Sequence, residues 1–290
     1  MRYIKAKTIL SRVRNDKYFG LSYNMNLYRG CQHDCIYCDS RSDCYRLGEL
    51  GDIRAKRDAL QILQNELRSK RTKGTVGFGS MNDPYMPVEK KIKLTRGALK
   101  VIEKYQFPVH ILTKSDLVIR DTDILRRIAE KDYAAVSFTI TTANDNLAKK
   151  IEPGAPTPFR RFRAMKICRE KGIYTGLMMM PILPFLLDNP GNIETILKMA
   201  VDHGAEYCLP WFGMSLREGS AEYFYNQLDR LFPGVKSKYM RQFKNSYMCP
   251  SPRARELYDY FHDLCRRTGI SPAMRFRQPP EKQQLELFGP

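Results

Sequence analysis

Hydrophobic residues recur along this chain in two rhythms that replace one another in turn. From Leu21 to Tyr28, the residues Leu21, Tyr23, Met25 and Leu27 alternate with Ser22, Asn24, Asn26 and Tyr28. That is the period of a half-buried strand. Residues 58 to 70 then carry Leu60, Leu63 and Leu67 at helical spacing. A short strand is expected over residues 75–79, a helix over 95–105 and a third strand over 108–112. A helix follows over 122–131 and a fourth strand over 134–140. Beyond a long polar loop, Thr157 at an N-cap and Pro158 at the first position open a helix that Gly172 closes. A fifth strand is expected over 174–180, a helix over 192–203 and a sixth strand over 206–210.

Strands alternating with helices imply parallel strands joined by right-handed crossovers. The expected fold class is therefore α/β, with about six strand–helix repeats. Polar and special residues gather where these strands end: three cysteines after the first, Asn82 and Asp83 after the second, Thr113 and Lys114 after the third, Thr141 and Thr142 after the fourth. The C-terminal edge of a parallel barrel is where such folds place their sites. Four segments follow: a basic lead-in over 1–20, the barrel over 21–212, a helical extension over 213–277 whose last helix reaches about Arg267, and a tail over 278–290 that reads as unstructured.

Composition narrows the class. The 290 residues carry 49 Lys plus Arg against 31 Asp plus Glu, a formal net charge of +18. The basic positions are spread over Lys5–Lys17, Arg54–Arg71, Lys90–Arg96, Arg160–Lys171 and Arg266–Arg277. A positive surface built by many elements suits a polyanion, with nucleic acid as the leading partner and solvated charge as the plain alternative. Arg160, Arg161 and Arg163 are candidate phosphate contacts. No run of about eighteen apolar residues would span a membrane, and the N-terminus lacks the apolar core of a secretory signal, so a cytoplasmic location is expected. In a reducing compartment the eight cysteines are not a disulfide framework. Cys168 and Cys265 fall on apolar helix faces and read as core.

The remaining chemistry is concentrated in Gly30-Cys31-Gln32-His33-Asp34-Cys35-Ile36-Tyr37-Cys38, where three cysteines are spaced C-x3-C-x2-C. Thiolates ligate zinc or iron–sulfur clusters. A closed zinc site wants a fourth ligand, for which His33 and Cys44 are candidates. Three cysteines on a four-iron cluster leave one iron open to a substrate or cofactor.

This spacing, with Tyr37 before the last cysteine and a first strand before the loop, resembles the signature of the radical S-adenosylmethionine superfamily. The resemblance covers roughly residues 20–212. It implies a partial (β/α)6 barrel and a [4Fe–4S] cluster on Cys31, Cys35 and Cys38, served by an external reductant. S-adenosylmethionine would chelate the open iron and be cleaved to a 5′-deoxyadenosyl radical. Within the superfamily the chain is most similar to the spore photoproduct lyase-like group. The residues carrying that likeness are Asn82-Asp83-Pro84-Tyr85, Pro87, Glu89, Leu112-Thr113-Lys114, the Ser137 strand, Glu152-Pro153 with Arg160 and Arg161, and Pro181-Ile182-x-Pro184.

The likeness implies that strand-end groups meet the cofactor: Ser80 and Asn82 after the second strand, Lys114 after the third, Ser137 and Thr139 on the fourth. Lys114 also has a physical case, because a strand-end ammonium can pair with the cofactor carboxylate. Tyr85 is a candidate to face substrate, or else core. The lyase quenches its product radical with a cysteine placed after the cluster, and this chain has none at the corresponding place. Cys208 and Cys249 are the spare catalytic candidates, with buried thiols as the alternative. In the tail, Gln284-Leu285-Glu286-Leu287-Phe288 resembles the bacterial sliding-clamp-binding motif, in which Leu and Phe anchors fill an apolar pocket.

Three functions fit. The first is radical chemistry on a damaged or modified base in DNA. The second is the same chemistry on RNA, which the clamp-like tail disfavours. The third is a non-catalytic iron–sulfur or zinc protein that binds nucleic acid.

Overall fold

A computed structural model describes residues 1–277; Gln284–Phe288 lies outside the described residues. The expected strands are β1 (Tyr23–Met25), β2 (Val76–Phe78), β3 (Val109–Thr113), β4 (Ala134–Thr139), β5 (Tyr174–Met179) and β6 (Tyr207–Pro210). They pair in parallel in the order β6-β5-β4-β3-β2-β1, and Leu10–Arg12 adds antiparallel to β1 as the seventh strand. The β6 edge and the Leu10–Arg12 edge do not pair, so the sheet curves as an open barrel. This is the partial (β/α)6 barrel that the resemblance implied, with the six strands expected from the alternation.

The crossover helices are α1 (Ala59–Arg68), α2 (Leu94–Lys104), α3 (Thr122–Lys131), α4 (Pro158–Glu170) and α5 (Pro190–Asp202). Each buries the apolar stripe that its spacing predicts; in α3 the buried positions include Ile124, Leu125 and Ile128. Full burial of one such side chain contributes roughly 1.5–3 kcal/mol. In α4 the stripe of Phe162, Met165 and Cys168 also contains a buried arginine, Arg161. Thr157 holds the N-cap position of α4, but its side chain makes no capping hydrogen bond. Asn189 does cap α5, accepting from the Asn192 backbone N–H at 2.9 Å.

Alternation in β4 and β5 sends Val136, Phe138, Leu177 and Met179 to the helix-covered core, while Ala135 and Met178 face the barrel interior. The interior floor is closed by Tyr207, Met274 and Phe19. The Tyr207 ring lies on the β5 backbone at Gly176, where a Cβ would come within 2.2 Å of it. Any larger residue there would displace the ring.

Four expectations change. The strand expected over 21–28 is broken after Met25, and Tyr28–Arg29 joins a separate sheet with Arg54–Lys56 and Arg2–Ile4. The basic lead-in supplies strands to both sheets. The polar loop after β4 contains a short helix, Asp145–Ile151, capped by Asn144. Past Trp211 the alternation fades: Gly213–Ser215 pairs antiparallel with Met248–Pro250 across the intervening helices α6 (Ser220–Leu231) and α7 (Val235–Phe243), and α8 (Ala254–Thr268) follows. Among the described residues no helix is long and apolar enough to cross a membrane.

Candidate active site

The cysteine loop is held on three sides by backbone. The Cys31 N–H donates to the Leu50 carbonyl at 2.7 Å, and the Ile36 N–H to the Ile151 carbonyl at 2.9 Å. The Gly154 N–H donates to the His33 carbonyl at 3.0 Å. A Cβ at Gly154 would sit 2.0 Å from the Gln32 carbonyl oxygen, so the close approach of these two loops depends on glycine. The Gln32 side chain fixes the loop further by accepting from the Val88 N–H at 2.7 Å.

So held, Cys31, Cys35 and Cys38 line one wall of a cavity of about 240 Å³ at the strand ends. Ser80, Asn82, Asp83, Lys114 and Thr139 line it from the ends of β2, β3 and β4, and Trp211, Met214 and Ser215 close it from the segment after β6. All three thiols are free.

Two buried carboxylates flank the loop. Asp83 accepts from the Tyr85 N–H at 2.8 Å, the Thr113 hydroxyl at 2.7 Å and the Lys114 N–H at 2.6 Å. His33 Nδ1 lies 3.4 Å from its other side. Burial alone would raise the acid, but His33 and these donors outweigh it and bring Asp83 down to about 2. On the other side Glu152 pairs with Arg161 at 2.5 Å and accepts from the Tyr37 hydroxyl. Arg161 also donates to the carbonyls of Pro156 at 2.8 Å and Thr139 at 3.0 Å. Against burial, Arg161 and Lys114 hold the Glu152 carboxyl below its ordinary range. Burial likewise opposes the Lys114 ammonium, but Cys35 and Glu152 raise it overall. Its Nζ stands 5.7 Å over the Tyr37 ring.

The donor set fits a cluster. Burial first, and the Asp83 charge next, push the Cys31 thiol up to about 12; burial also raises Cys35 far above a free thiol, with Lys114 opposing. Thiols in such a place ionise on binding a cationic group. Soft sulfur donors select iron–sulfur clusters, zinc or copper. Among the described residues no three His, Cys, Asp or Glu side chains converge as a single ion requires. A cluster asks for less, since each thiolate binds a different iron.

The structure brings Ser80, Asn82, Lys114 and Thr139 to the cavity with the cysteines. Ser80 exchanges hydrogen bonds with Asn24 at 2.7 and 2.9 Å, and the Asn82 amide donates to the Tyr28 carbonyl at 2.8 Å. Other expected residues lie elsewhere. Ser137 is fully buried deeper in the barrel, between His110 Nε2 and the Tyr207 hydroxyl, each at 2.6 Å. Tyr85 is core, with its hydroxyl unpaired. Cys208 is buried on the helix-side face of β6, and Cys249 is buried in the strand Met248–Pro250; neither lines the cavity. Arg161 is 1% exposed and spoken for by Glu152, so it is no phosphate contact. Arg160 is exposed and pairs with Asp116 at 2.6 Å.

Trp211 and Met214 were missed, and so was the pairing of His33 with Asp83. Asp83 sits in the strand-end turn that the sequence singles out, but its partner His33 comes from the cysteine loop and is visible only once the loop is folded.

An open parallel barrel with three free thiols on the loop after its first strand defines a cluster-bearing barrel enzyme. The chain belongs to the radical SAM superfamily, whose model matches residues 25–200. Enzymes of this superfamily use a [4Fe–4S] cluster and S-adenosylmethionine. Over 187 residues the chain is 38% identical to an uncharacterized protein of Methanocaldococcus jannaschii, covering 64% of this chain and 68% of that one. A radical SAM Nα-GlyT isomerase of Pseudomonas phage M6 is 24% identical over 154 residues, 53% of this chain and 32% of the isomerase. Among solved structures, a spore photoproduct lyase variant superposes with a TM-score of 0.68 at 14% identity, covering 92% of this chain and 78% of the lyase. Another variant of that lyase holds S-adenosylmethionine and a dinucleoside spore photoproduct. The fold is therefore shared with the lyase.

Proposed function

We propose that this radical SAM enzyme acts on a damaged or modified base in DNA, with the cluster on Cys31, Cys35 and Cys38. The cluster, when bound and reduced by an external donor, supplies the electron that cleaves S-adenosylmethionine and yields a 5′-deoxyadenosyl radical for hydrogen abstraction. The residues around it have separable tasks. Lys114 offers an ammonium to the cofactor carboxylate, and Asp83 holds the Lys114 backbone in place from below. Thr139, Asn82 and Ser80 offer hydroxyl and amide groups along the opposite wall. Trp211 and Met214 cover the cavity and keep water from a reactive radical.

The observation that carries the choice of a nucleic acid is the formal charge of +18 spread over many elements. Such a surface gives salt-dependent, mostly sequence-independent phosphate affinity. A base must leave the stack to reach a cavity of this kind. The fold shared with a lyase seen with a dinucleoside lesion supports DNA in particular. The proposed sliding-clamp contact through Gln284–Phe288 would bring the enzyme to replicating DNA, and a peptide of the last dozen residues tests it directly against the clamp.

The test is anaerobic reconstitution followed by measurement of 5′-deoxyadenosine, with and without irradiated DNA. Wild type should form it, and Cys35→Ser should not. Turnover that ignores added DNA of every kind would sink the substrate reading. Lys114→Met should weaken S-adenosylmethionine binding about tenfold or more, the loss of one charge-assisted hydrogen bond.

A further inference from the structure

Beside the cysteine-lined cavity opens a second hollow of about 370 Å³. Tyr45, Met81 and Asn82 line both, so these side chains form a shared partition. The chemistry on the two sides is different. The first cavity includes Asp39 and Asp83. The second carries Lys5, Lys7, Arg29 and Lys56 and no carboxylate.

These cations come from separate stretches that the small sheet gathers: Arg29 and Lys56 from paired strands, Lys5 and Lys7 from the segment after Arg2–Ile4. Arg2 and Arg54 on the same strands pair with Asp52. Among the described residues the four cations of the hollow have no ion-pair partner. Arg29 is aimed by its bond to the Tyr45 carbonyl at 3.1 Å. Burial lowers the Lys56 ammonium, and against the opposing pull of Glu66 the Arg29 charge lowers it further. Gathering like charges in a concave site costs energy until an anion enters. One more group waits there: the Asn26 side-chain oxygen is buried and has no hydrogen-bond partner.

We propose that this hollow holds a phosphate-bearing nucleotide next to the one that enters the cysteine-lined cavity. Its phosphate would lie among Lys5, Lys7, Arg29 and Lys56, and the Asn26 amide would meet its sugar or base edge. The size suits a nucleotide. The inference rests on the nucleic-acid reading above and adds the path by which the strand approaches the radical site.

The test is fluorescence anisotropy of the full chain with short labelled single strands of DNA and of RNA, titrated with salt. Three proteins are compared: wild type, the triple variant Lys5→Ala/Lys7→Ala/Arg29→Ala, and a control with equal charge loss on exposed helix positions, Lys100→Ala/Lys131→Ala/Lys166→Ala. The hollow variant should lose tenfold or more in affinity, and the slope of log K against log salt should fall by about 2. The control should lose much less. Equal losses in both variants, or none in the first, would overturn the proposal. If only RNA binds and the hollow variant still loses that binding, the DNA reading falls and this assignment stands. A wild-type chain that binds neither strand overturns both.

Discussion

His110 and Lys114 stand four residues apart along β3 and its end, yet they meet opposite kinds of surroundings. His110 lies on the barrel floor in a neutral chain, bonded to Ser137, which is bonded to Tyr207. Lys114 lies at the mouth among ionisable groups: Cys35, Glu152, Arg161 and Asp83 all act on it. Both regions are buried. The floor satisfies its polar groups with each other and presents nothing to a ligand. The mouth satisfies its charges only partly, and the Lys114 ammonium faces the cavity. Position along a strand thus sorts scaffold from chemistry, at about 3.3 Å per residue.

If that contrast is right, the largest effect comes from the mouth. Glu152→Ala leaves the buried Arg161 guanidinium without its carboxylate, which should cost about 3–5 kcal/mol by equilibrium urea unfolding. The double variant Glu152→Leu/Arg161→Met should cost less than the single one, because no charge is then stranded. A double variant as unstable as Glu152→Ala would mean that the pair matters through its packing, and the charged character of the mouth would lose its meaning.

The floor makes a different prediction, written in pH. Burial lowers His110 from 6.5 to about 4, with only Asp16 opposing. The ring is neutral in the folded state, while the unfolded chain takes up a proton near the ordinary value. Stability from this group is therefore complete above about pH 6.5 and is lost as pH falls toward 4. The full loss is roughly 3 kcal/mol, from about 2.5 pKa units at 1.36 kcal/mol each. Unfolding free energies at pH 7 and pH 4.5 should differ more for wild type than for His110→Gln by about 2 kcal/mol or more. Equal differences would show that the ring takes up its proton as readily in the fold as in the unfolded chain, and that the floor does not exclude charge.

The same contrast explains what could be read before folding. The six strands were legible because burial on both sheet faces makes them short apolar runs set between stretches of helical period. The cysteine triplet was legible because its three thiols are local, all on one loop. Lys114 was legible because it immediately follows β3, and Asn82 because it lies in the turn that leaves β2. Ser137 was placed with the cofactor, yet it lies two residues short of Thr139, and that distance moves it from the mouth to the floor. The pairing of Glu152 with Arg161 and Tyr37 joins residues far apart in sequence, and an arginine in α4 looks solvated until its neighbours are known. Cys208 falls on the helix-facing side of β6, and a strand this short does not announce its register. The C-terminal helices gave no alternation because the two short strands among them pair antiparallel with each other and do not extend the parallel sheet.

The smallest effect tests the boundary between the two regions most directly. Ser137→Ala removes the hydroxyl that joins His110 to Tyr207 and leaves both buried partners short of one bond. That should cost about 1–3 kcal/mol. Because Ser137 does not line the cavity, the affinity for S-adenosylmethionine and the rate of 5′-deoxyadenosine formation should stay within about twofold, which is under 0.5 kcal/mol. Thr139→Val, two residues along the same strand and lining the cavity, should do the reverse, weakening the cofactor more than the fold. A Ser137→Ala enzyme that unfolds like wild type but binds its cofactor poorly would erase the line drawn between floor and mouth and return Ser137 to the cofactor site.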